Sequence, residues 1–537
     1  MITKIVDNFT GRLTRNNIGE MDSGAAIYNT TFGSNPFLNI TNLTWFESLT
    51  QIDPNASVIT DLIVAAKPRL ESGITYVYAI GHTGRLYKIQ VNDPTTYNPN
   101  YDNPVLLTTL TAQSPTFKYG ASIQFYGTTE RIYIGHDMGI TQIDFNGTNE
   151  TFKGTLSSYT QGVPRPSVVF QGVTYWGNGN NLAAIDSTNT VTTYGKLSPA
   201  FETNTFIRDL DVSPNGNYIQ IITSRLNSPD LTSTTQDTTS LSSGDSYKSL
   251  WNGSDVGVTS RETYAGYSIN SNSSFGAYSY TMGYDLGGAA IYTQGSKIIS
   301  LPNSISPNFG AMFSTGNMLG FAAPETSNNA LKGSLFVYGQ YDHEVAKGLY
   351  RLLQFSATSP ETNVIQIPMC LVVSNLFYGS SSAGYSGNQV GSAKLYISTL
   401  ETSSAPTTKY RLYKFTTVPT GLGNAIGGVY QTQAQTSYKL FRSIIKKGVV
   451  AKEVRMYTEP LVTNNSFKID LIGTDGNPIS GTSQTFTVGS TAVAGVEYVQ
   501  YNPTMKPTHA LGLRITNLGT ANWVGLKCEI DVEEAGK

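Results

Sequence analysis

This chain of 537 residues has only four histidines and two cysteines that could hold a zinc ion. Its histidines and cysteines are His82, His136, His343, His509, Cys370 and Cys528. A zinc site needs three or four such ligands, either at short spacing or converging from several strands, and the sequence has no HExxH motif and no paired-cysteine motif. Two cysteines are also too few for a disulfide framework. We therefore predict no metal site and no cofactor.

Two carboxylates, Asp209 and Asp211, are the best candidates for catalysis. They lie two residues apart in a strand-like run and therefore share one face, where a pair of acids could act on a glycosidic bond. They precede Ser213-Pro-Asn-Gly216, which resembles the Ser-Pro-Asp-Gly turn found in many β-propellers. An Asp before such a turn bonds a neighbouring loop, so we assign this pair a structural role. No Gly-x-Ser-x-Gly elbow follows a strand, and we predict no catalytic or cofactor-binding residue.

His82 and His136 occupy equivalent places in a repeated hairpin. Residues 78–89 can be laid over residues 133–143: each copy has a strand ending at Gly-His, a tight turn with a Gly, and a second strand. The equivalence predicts that each is a turn histidine bonded to backbone within its blade.

The elements that would position these residues are short strands. Alternating runs such as 75–80, 131–134 and 394–397 are bounded by Gly, Asn, Asp or Pro, and no helical pattern is sustained. Weaker hairpins recur at intervals of roughly 40 to 55 residues, which is typical of propeller blades. We predict an all-β fold, with a β-propeller of about seven blades over residues 58–417. A stack of β-sandwiches is the alternative, because it also uses short, regularly spaced strands.

The two ends and one internal segment differ from the propeller pattern. Residues 1–57 carry apolar residues separated by polar linkers. This pattern predicts either an extended assembly arm or a strand that closes the propeller, and both interpretations remain open. The candidate arm residues are Phe9, Arg12, Arg15, Tyr28, Trp45 and Phe46. Residues 430–537 contain seven short strands and predict a C-terminal β-sandwich. Residues 226–275, whose first part is poor in apolar residues, predict a surface excursion.

The low charge of the chain excludes several functions. Charged residues make up 13%, and 35 Lys and Arg against 37 Asp and Glu give a net charge of −2. Sequence-specific nucleic-acid binding is not expected, because such proteins usually carry an excess of positive charge. No apolar run is long enough to span a membrane, and we expect synthesis in the cytoplasm without a signal peptide.

Tyrosine is the most frequent aromatic residue, with 33 copies. At loop tips, tyrosine gives a large contact area at a low cost in conformational entropy. The predicted contact surface consists of Tyr97, Tyr101, Tyr247, Tyr264, Tyr267, Tyr278 and Tyr280.

The Thr-, Ser-, Asn- and Gly-rich composition, together with the order of arm, propeller and sandwich, resembles the structural proteins of tailed-bacteriophage virions. The resemblance implies a non-enzymatic tail protein, in a nozzle, a ring or the tail tip, that is made in the host cytoplasm and assembled into the virion. Its partners would be copies of itself in a ring, other virion proteins such as the portal, an adaptor or a tail fibre, and a host surface glycan. Two other hypotheses stay open: an extracellular propeller that binds or cleaves carbohydrate, and a cellular propeller scaffold.

Overall fold

The computed structural model forms two compact units, residues 51–334 with 356–415, and residues 1–50 with 335–355 and 416–537. The residues that it describes are 2–6, 50–52, 58–72, 74–90, 104–112, 121–126, 131–154, 159–186, 191–194, 201, 205–224, 245–264, 268–275, 277–285, 288–301, 312–315, 318–327, 330–339, 348–354, 365–375, 393–402, 409–416, 435–442, 448–472, 478–508, 510–518, 523 and 525–534. Over these ranges the chain is all-β, and none of them contains a helix that could cross a membrane.

Two short strands come first in the chain, β1 (Ile2–Val6) and β2 (Thr50–Ile52). Seven four-stranded antiparallel sheets then follow, six of them built from four strands that are consecutive in sequence.

The strands of the first three sheets are β3 (Ile63–Glu71), β4 (Ile74–Gly81), β5 (Arg85–Gln90), β6 (Pro104–Thr109), β7 (Ser122–Tyr126), β8 (Arg131–His136), β9 (Gly139–Ile143), β10 (Thr151–Phe152), β11 (Ser167–Phe170), β12 (Val173–Asn178), β13 (Asn181–Ile185) and β14 (Val191–Tyr194). Those of the fourth and fifth sheets are β15 (Phe206–Val212), β16 (Ile219–Ser224), β17 (Ser246–Trp251), β18 (Ser260–Tyr264), β19 (Ser268–Phe275), β20 (Tyr278–Asp285), β21 (Gly288–Thr293) and β22 (Ser296–Leu301). Those of the sixth and seventh are β23 (Met312–Thr315), β24 (Met318–Ser327), β25 (Ala330–Gly339), β26 (Gly348–Gln354), β27 (Ile365–Asn375), β28 (Ala393–Thr402) and β29 (Lys409–Thr416).

The first strands of the seven sheets form a closed ring. Strand β3 contacts β7, and the contacts continue through β11, β15, β19, β23 and β27 back to β3. This ring of inner strands, each starting a four-stranded sheet, is the arrangement of a seven-bladed β-propeller. The predicted fold class and blade number are therefore confirmed.

The hydrophobic core of the propeller lies between successive sheets. Leu62, Tyr78 and Leu86 of the first sheet pack against Ile132 and Ile143 of the second. The same kind of cluster joins the third and fourth sheets and includes the fully buried Trp251. Because strand residues alternate between faces, each blade can offer apolar side chains to both of its neighbours.

The N-terminal segment supplies strands to two different sheets. Strand β2 is the outermost strand of the seventh sheet, next to β29, as predicted by the closing-strand alternative. Strand β1 instead pairs with the last strand of the chain, β36 (Gly525–Glu534). The candidate arm residues lie outside the described residues: Phe9, Arg12, Arg15, Tyr28, Trp45 and Phe46.

The surface excursion predicted over residues 226–275 is wrong for its second half. Residues 246–264 form β17 and β18, the outer half of the fourth sheet, and residues 268–275 form the inner strand of the fifth. The Ser-rich sequence hid these strands because serines such as Ser246 and Ser249 occupy buried positions, so apolar alternation is missing; Ser246 bonds the hydroxyl of Ser224 on the neighbouring strand. Residues 226–244 lie outside the described residues.

The C-terminal part contains the seven predicted strands and forms a two-sheet sandwich with β1. Its strands are β30 (Gln435–Arg442), β31 (Val449–Thr458), β32 (Ser466–Ile472), β33 (Gln484–Thr487), β34 (Tyr498–Tyr501), β35 (Ala510–Asn517) and β36. They pair in the orders β1-β36-β31-β34 and β30-β35-β32-β33. In its core the ring of Phe467 stacks on Trp523 with centroids 4.3 Å apart.

Candidate functional site

The two repeated histidines are turn residues, as predicted. His82 accepts a hydrogen bond on Nδ1 from the backbone amide of Leu62 at 3.2 Å and contacts the Asp61 carboxylate. His136 accepts on Nδ1 from the amide of Met138 at 3.2 Å, and its Nε2 lies 2.8 Å from Oγ1 of Thr141. These contacts fix His136 within its own turn and tie His82 to the segment that leads into β3.

His136 is fully buried, and this burial, together with the nearby Arg165 guanidinium, lowers its pKa to about 3. The ring is therefore neutral at physiological pH, with each nitrogen in a hydrogen bond. The bonds from its two nitrogens join the amide of Met138 in the turn to Thr141 on β9. The structure favours an architectural role for this histidine.

Asp209 and Asp211 connect the fourth blade to the fifth. Asp209 Oδ2 accepts a hydrogen bond from the backbone amide of Asn272 at 2.6 Å. Asp211 Oδ2 accepts from the amide and the hydroxyl of Ser274 at 3.1 and 2.9 Å. Burial raises the pKa of Asp211, and the bonds from Ser274 oppose that shift. Both carboxylates thus bond the inner strand of the next blade, β19, and not the neighbouring loop that the turn motif predicted.

Polar side chains also join the first three blades along their inner strands. Lys67 on β3 donates to Oε1 of Gln124 on β7. Gln124 Nε2 in turn donates to the carbonyl and hydroxyl oxygens of Ser167 on β11, at 3.1 and 2.9 Å. Burial lowers the pKa of Lys67 to about 8. The line Lys67–Gln124–Ser167 therefore contributes a polar link between three successive blades.

A fully buried cation, Arg165, lies between the second and third blades. Its guanidinium donates to the carbonyl of His136 at 3.1 Å, the carbonyl of Gly177 at 3.2 Å and Oδ1 of Asn178 at 2.8 Å, and also to the carbonyl of Thr160. Burial lowers the pKa of Arg165 to about 10, so the side chain remains charged. Four acceptors compensate for its removal from water.

These polar groups do not form a metal centre. Among the described residues, no group of three or more His, Cys, Asp or Glu could hold a metal ion. Of the predicted candidates, His343 and His509 lie outside those residues. The buried ionisable groups that we followed along the inner strands bond neighbouring blades.

The predicted tyrosine contact surface is wrong for three of its residues. Tyr247, Tyr264 and Tyr280 are buried, with exposed fractions of 6% or less. The Arg261 guanidinium lies 3.3 Å from the centroid of the Tyr247 ring. Tyr264 packs edge to face against Tyr292, which belongs to the next blade. All three lie on strands, not at loop tips, and pack between or within sheets.

The other predicted contact tyrosines divide into one exposed residue and three outside the described ranges. Tyr278 is 45% exposed at the start of β20 and is accessible for contact. Tyr97, Tyr101 and Tyr267 lie outside the described residues. They stay predictions.

A different surface on the first blade has the features of an assembly contact. Its outermost strand β6 exposes two consecutive aliphatic side chains, Val105 at 52% and Leu106 at 43%. They point to opposite faces, and both protrude because β6 is at the sheet edge. A bulge at Leu107 and the proline at Pro104 limit pairing by another strand, so side-chain packing is the contact that this edge favours.

This edge strand carries no charge, as is also true of the outer strands β10 and β14, whereas β18 and β22 are charged. Strand β18 has Arg261 and Glu262, and β22 has Lys297. Charged side chains on an outer strand discourage association, and β6, Pro104-Val-Leu-Leu-Thr-Thr109, has none. Sequence reasoning missed Val105 and Leu106, although the uncharged run after a Pro- and Asn-rich turn was a usable signal.

Comparison with known proteins gives similarity of structure only. No family model matches the chain, and no curated protein matches it. The extracellular domain of the putative one component system BT4673 from B. thetaiotaomicron aligns with TM-score 0.40 and 11% identity, over 91% of this chain and 62% of that chain. This chain therefore spans less than two thirds of that domain.

Two further solved structures align over a smaller share of this chain. The β-propeller domain of Myceliophteria thermophila Cps50 (Swd1) has TM-score 0.38 and 10% identity, over 66% of this chain and 97% of that one. A chain of the mitotic checkpoint complex has TM-score 0.39 and 10% identity, over 70% and 96%. At these scores the propeller assignment depends on the strand order and inner ring of this chain alone.

Proposed function

We propose that the protein is a non-enzymatic structural component of a bacteriophage virion, a tail protein that acts by assembling with copies of itself and with other virion proteins. The observation that carries the assembly role is the uncharged, exposed pair Val105 and Leu106 on the outer edge of the first blade. Exposed apolar contacts between copies are favourable because their burial removes apolar surface from water.

The virion setting is supported by composition and by the order of the domains. A net charge of −2 over 537 residues keeps electrostatic repulsion between packed copies small. Hydrogen bonds between neighbouring blades stabilise the propeller, and the half-buried carboxylates of Asp209 and Asp211 take part in them.

The assembly role is tested by placing charge on the edge strand. In Val105→Lys and Leu106→Lys the ammonium would have to be desolvated at any contact that buries β6, so we expect the dissociation constant of the oligomer to rise about tenfold or more. Mass photometry and sedimentation velocity over a concentration series measure the change. Val256→Lys is the matched control, because Val256 is 73% exposed in a loop.

Two results would contradict the assembly role at this edge. The first is a wild-type protein that stays monomeric at all concentrations, alone and with its co-expressed neighbouring gene products. The second is an oligomer that Val105→Lys and Val256→Lys leave equally intact.

The virion location is tested separately by mass spectrometry of gradient-purified phage particles from a culture that carries the gene. We expect peptides of this chain in the particle fraction at a constant ratio to the capsid protein. Peptides in the cell fraction alone would refute a virion protein, and would favour the cellular scaffold.

A further inference from the structure

One face of a sandwich sheet presents an ordered grid of polar and aromatic side chains. Across β34, β31 and β36, Tyr498 is opposite Tyr457, which is opposite Lys527. In the next row, Gln500 is opposite Arg455, which is opposite Glu529. Because strand side chains alternate, these six residues share one face, and Val454, Met456 and Val499 lie on the buried face.

The first row forms an aromatic platform. The rings of Tyr457 and Tyr498 have centroids 6.0 Å apart and are inclined by 33°. Tyr498 is 52% exposed, so its ring is available to a ligand. Tyr457 is held from two sides: its hydroxyl donates to Glu529 Oε2 at 3.1 Å, and the Lys527 ammonium lies 4.7 Å from its ring centroid.

The second row and its neighbours form a network of fixed charges beside the rings. Arg455 donates to Glu529 at 3.2 Å and to Asp531 at 2.5 Å, and lies 3.6 Å from Glu453. Lys527 lies 2.6 Å from Glu529. The hydrogen bond from Lys527 is the main cause that lowers the pKa of Glu529, so the carboxylate stays ionised. Its orientation is therefore set before any ligand arrives.

The balance of charge and exposed ring surface selects one class of ligand. Two cations and three carboxylates face one another, which leaves a single negative charge and disfavours anionic ligands. A ligand that fits must offer an apolar face to the tyrosine ring and hydroxyl groups to the exposed amide of Gln500. Uncharged sugar rings have both features, since their C–H faces stack on aromatic rings while their hydroxyls form hydrogen bonds.

We propose that the face formed by Tyr457, Tyr498, Gln500, Arg455, Glu529 and Lys527 is a binding site for neutral polysaccharide. Tyr498 supplies the stacking ring, and Tyr457 continues the platform toward the centre of the sheet. The exposed amide of Gln500 supplies hydrogen bonds, while the buried carboxylate of Glu529 orients Tyr457, Arg455 and Lys527. The site goes beyond the assembly role and does not depend on it, because none of its residues belongs to β6.

The test is affinity electrophoresis of the full chain in native gels that contain dextran, laminarin, hydroxyethylcellulose or galactomannan, with alginate as the acidic probe. We expect at least one neutral polysaccharide to retard the wild-type chain and alginate to have no effect. Tyr498→Ala should raise the dissociation constant about tenfold, and Tyr498→Phe should retain binding because it keeps the ring.

Val493→Ala is the control, since Val493 is 70% exposed in a loop of the same sandwich and lies outside the proposed face. Melting temperatures of the three variants show whether the fold is retained. The proposal is overturned if none of the four neutral polysaccharides retards the wild type, if alginate alone does, or if Tyr498→Ala and Val493→Ala behave alike. It is also overturned if Tyr498→Ala dissociates an oligomer without changing retardation, because the face would then be an interface between copies.

Discussion

Asp209 and Asn272 join two blades through one short hydrogen bond, in which the backbone amide of Asn272 donates to the Asp209 carboxylate at 2.6 Å. Asp211 and Ser274 repeat the contact two residues further along both strands. Because the two bonds lie side by side on β15 and β19, they fix the position and the register of the neighbouring inner strands.

Asp209→Ala should lower the free energy of unfolding by about 1–3 kcal/mol, because it leaves the buried amide of Asn272 without this acceptor. Urea unfolding followed by tyrosine and tryptophan fluorescence measures the loss. Asp255→Ala is the control: Asp255 is exposed in a turn, and its removal should change stability by about 0.5 kcal/mol or less. Equal effects of the two changes would contradict a stabilising role for the hydrogen bond between Asn272 and Asp209.

His136 should make the protein less stable in acid. Its folded pKa of about 3 is below the usual 6.5, so between these values the unfolded chain binds the proton and the folded one does not. The contribution of neutral His136 to the free energy of unfolding is fully present above pH 6.5. It falls by about 1.4 kcal/mol per pH unit as the pH drops toward 3.

Urea unfolding at a series of pH values checks this, and His136→Gln should remove that part of the slope below pH 6.5 while leaving the slope above pH 7 unchanged. The variant is expected to be less stable at pH 7, since Gln does not reproduce both ring contacts. An unchanged acid slope would show that His136 is protonated in the folded protein.

Arg165→Met should cost about 3 kcal/mol or more, because several buried acceptors of the second and third blades lose their donor together. Arg165→Lys should recover little, since one ammonium cannot reproduce the planar fork of donors. The comparison is Arg131→Met, which removes a partly exposed ion pair with Asp144 and should cost about 1 kcal/mol or less. A milder effect at Arg165 than at Arg131 would refute the assigned role.

The sequence predicted the parts of the fold that repeat. The two Gly-His hairpins lie on β4-β5 and β8-β9, and the seven strands expected after residue 430 are all present. Turn residues and the alternation of apolar and polar residues are local signals, so they can be recognised in the sequence without knowledge of the tertiary structure. The blade count followed from the spacing of the hairpins.

Exposure was much harder to predict than strand position. Tyr247 and Tyr264 lie in a Ser-rich stretch without apolar alternation, where polar outer strands cannot be told from a loop. Val105 became a candidate only when β6 proved to be a sheet edge. The platform of Tyr457 and Tyr498 depends on the pairing of β31 with β34, a register between segments about forty residues apart that no local pattern encodes.

Close contact between the second and third blades predicts that Gly135 tolerates no side chain. A Cβ at Gly135 would lie 2.7 Å from the ring of the buried Trp176 and 2.8 Å from Cβ of Arg165. Gly135→Ala should therefore separate the two sheets locally and lower the free energy of unfolding by about 1–3 kcal/mol. Gly257→Ala is the matched control, since nothing lies within 4 Å of the added carbon there. Thermal unfolding of both variants tests this prediction. If Gly135→Ala has the same melting temperature as Gly257→Ala and the wild type, the two blades do not pack as closely as in the structure.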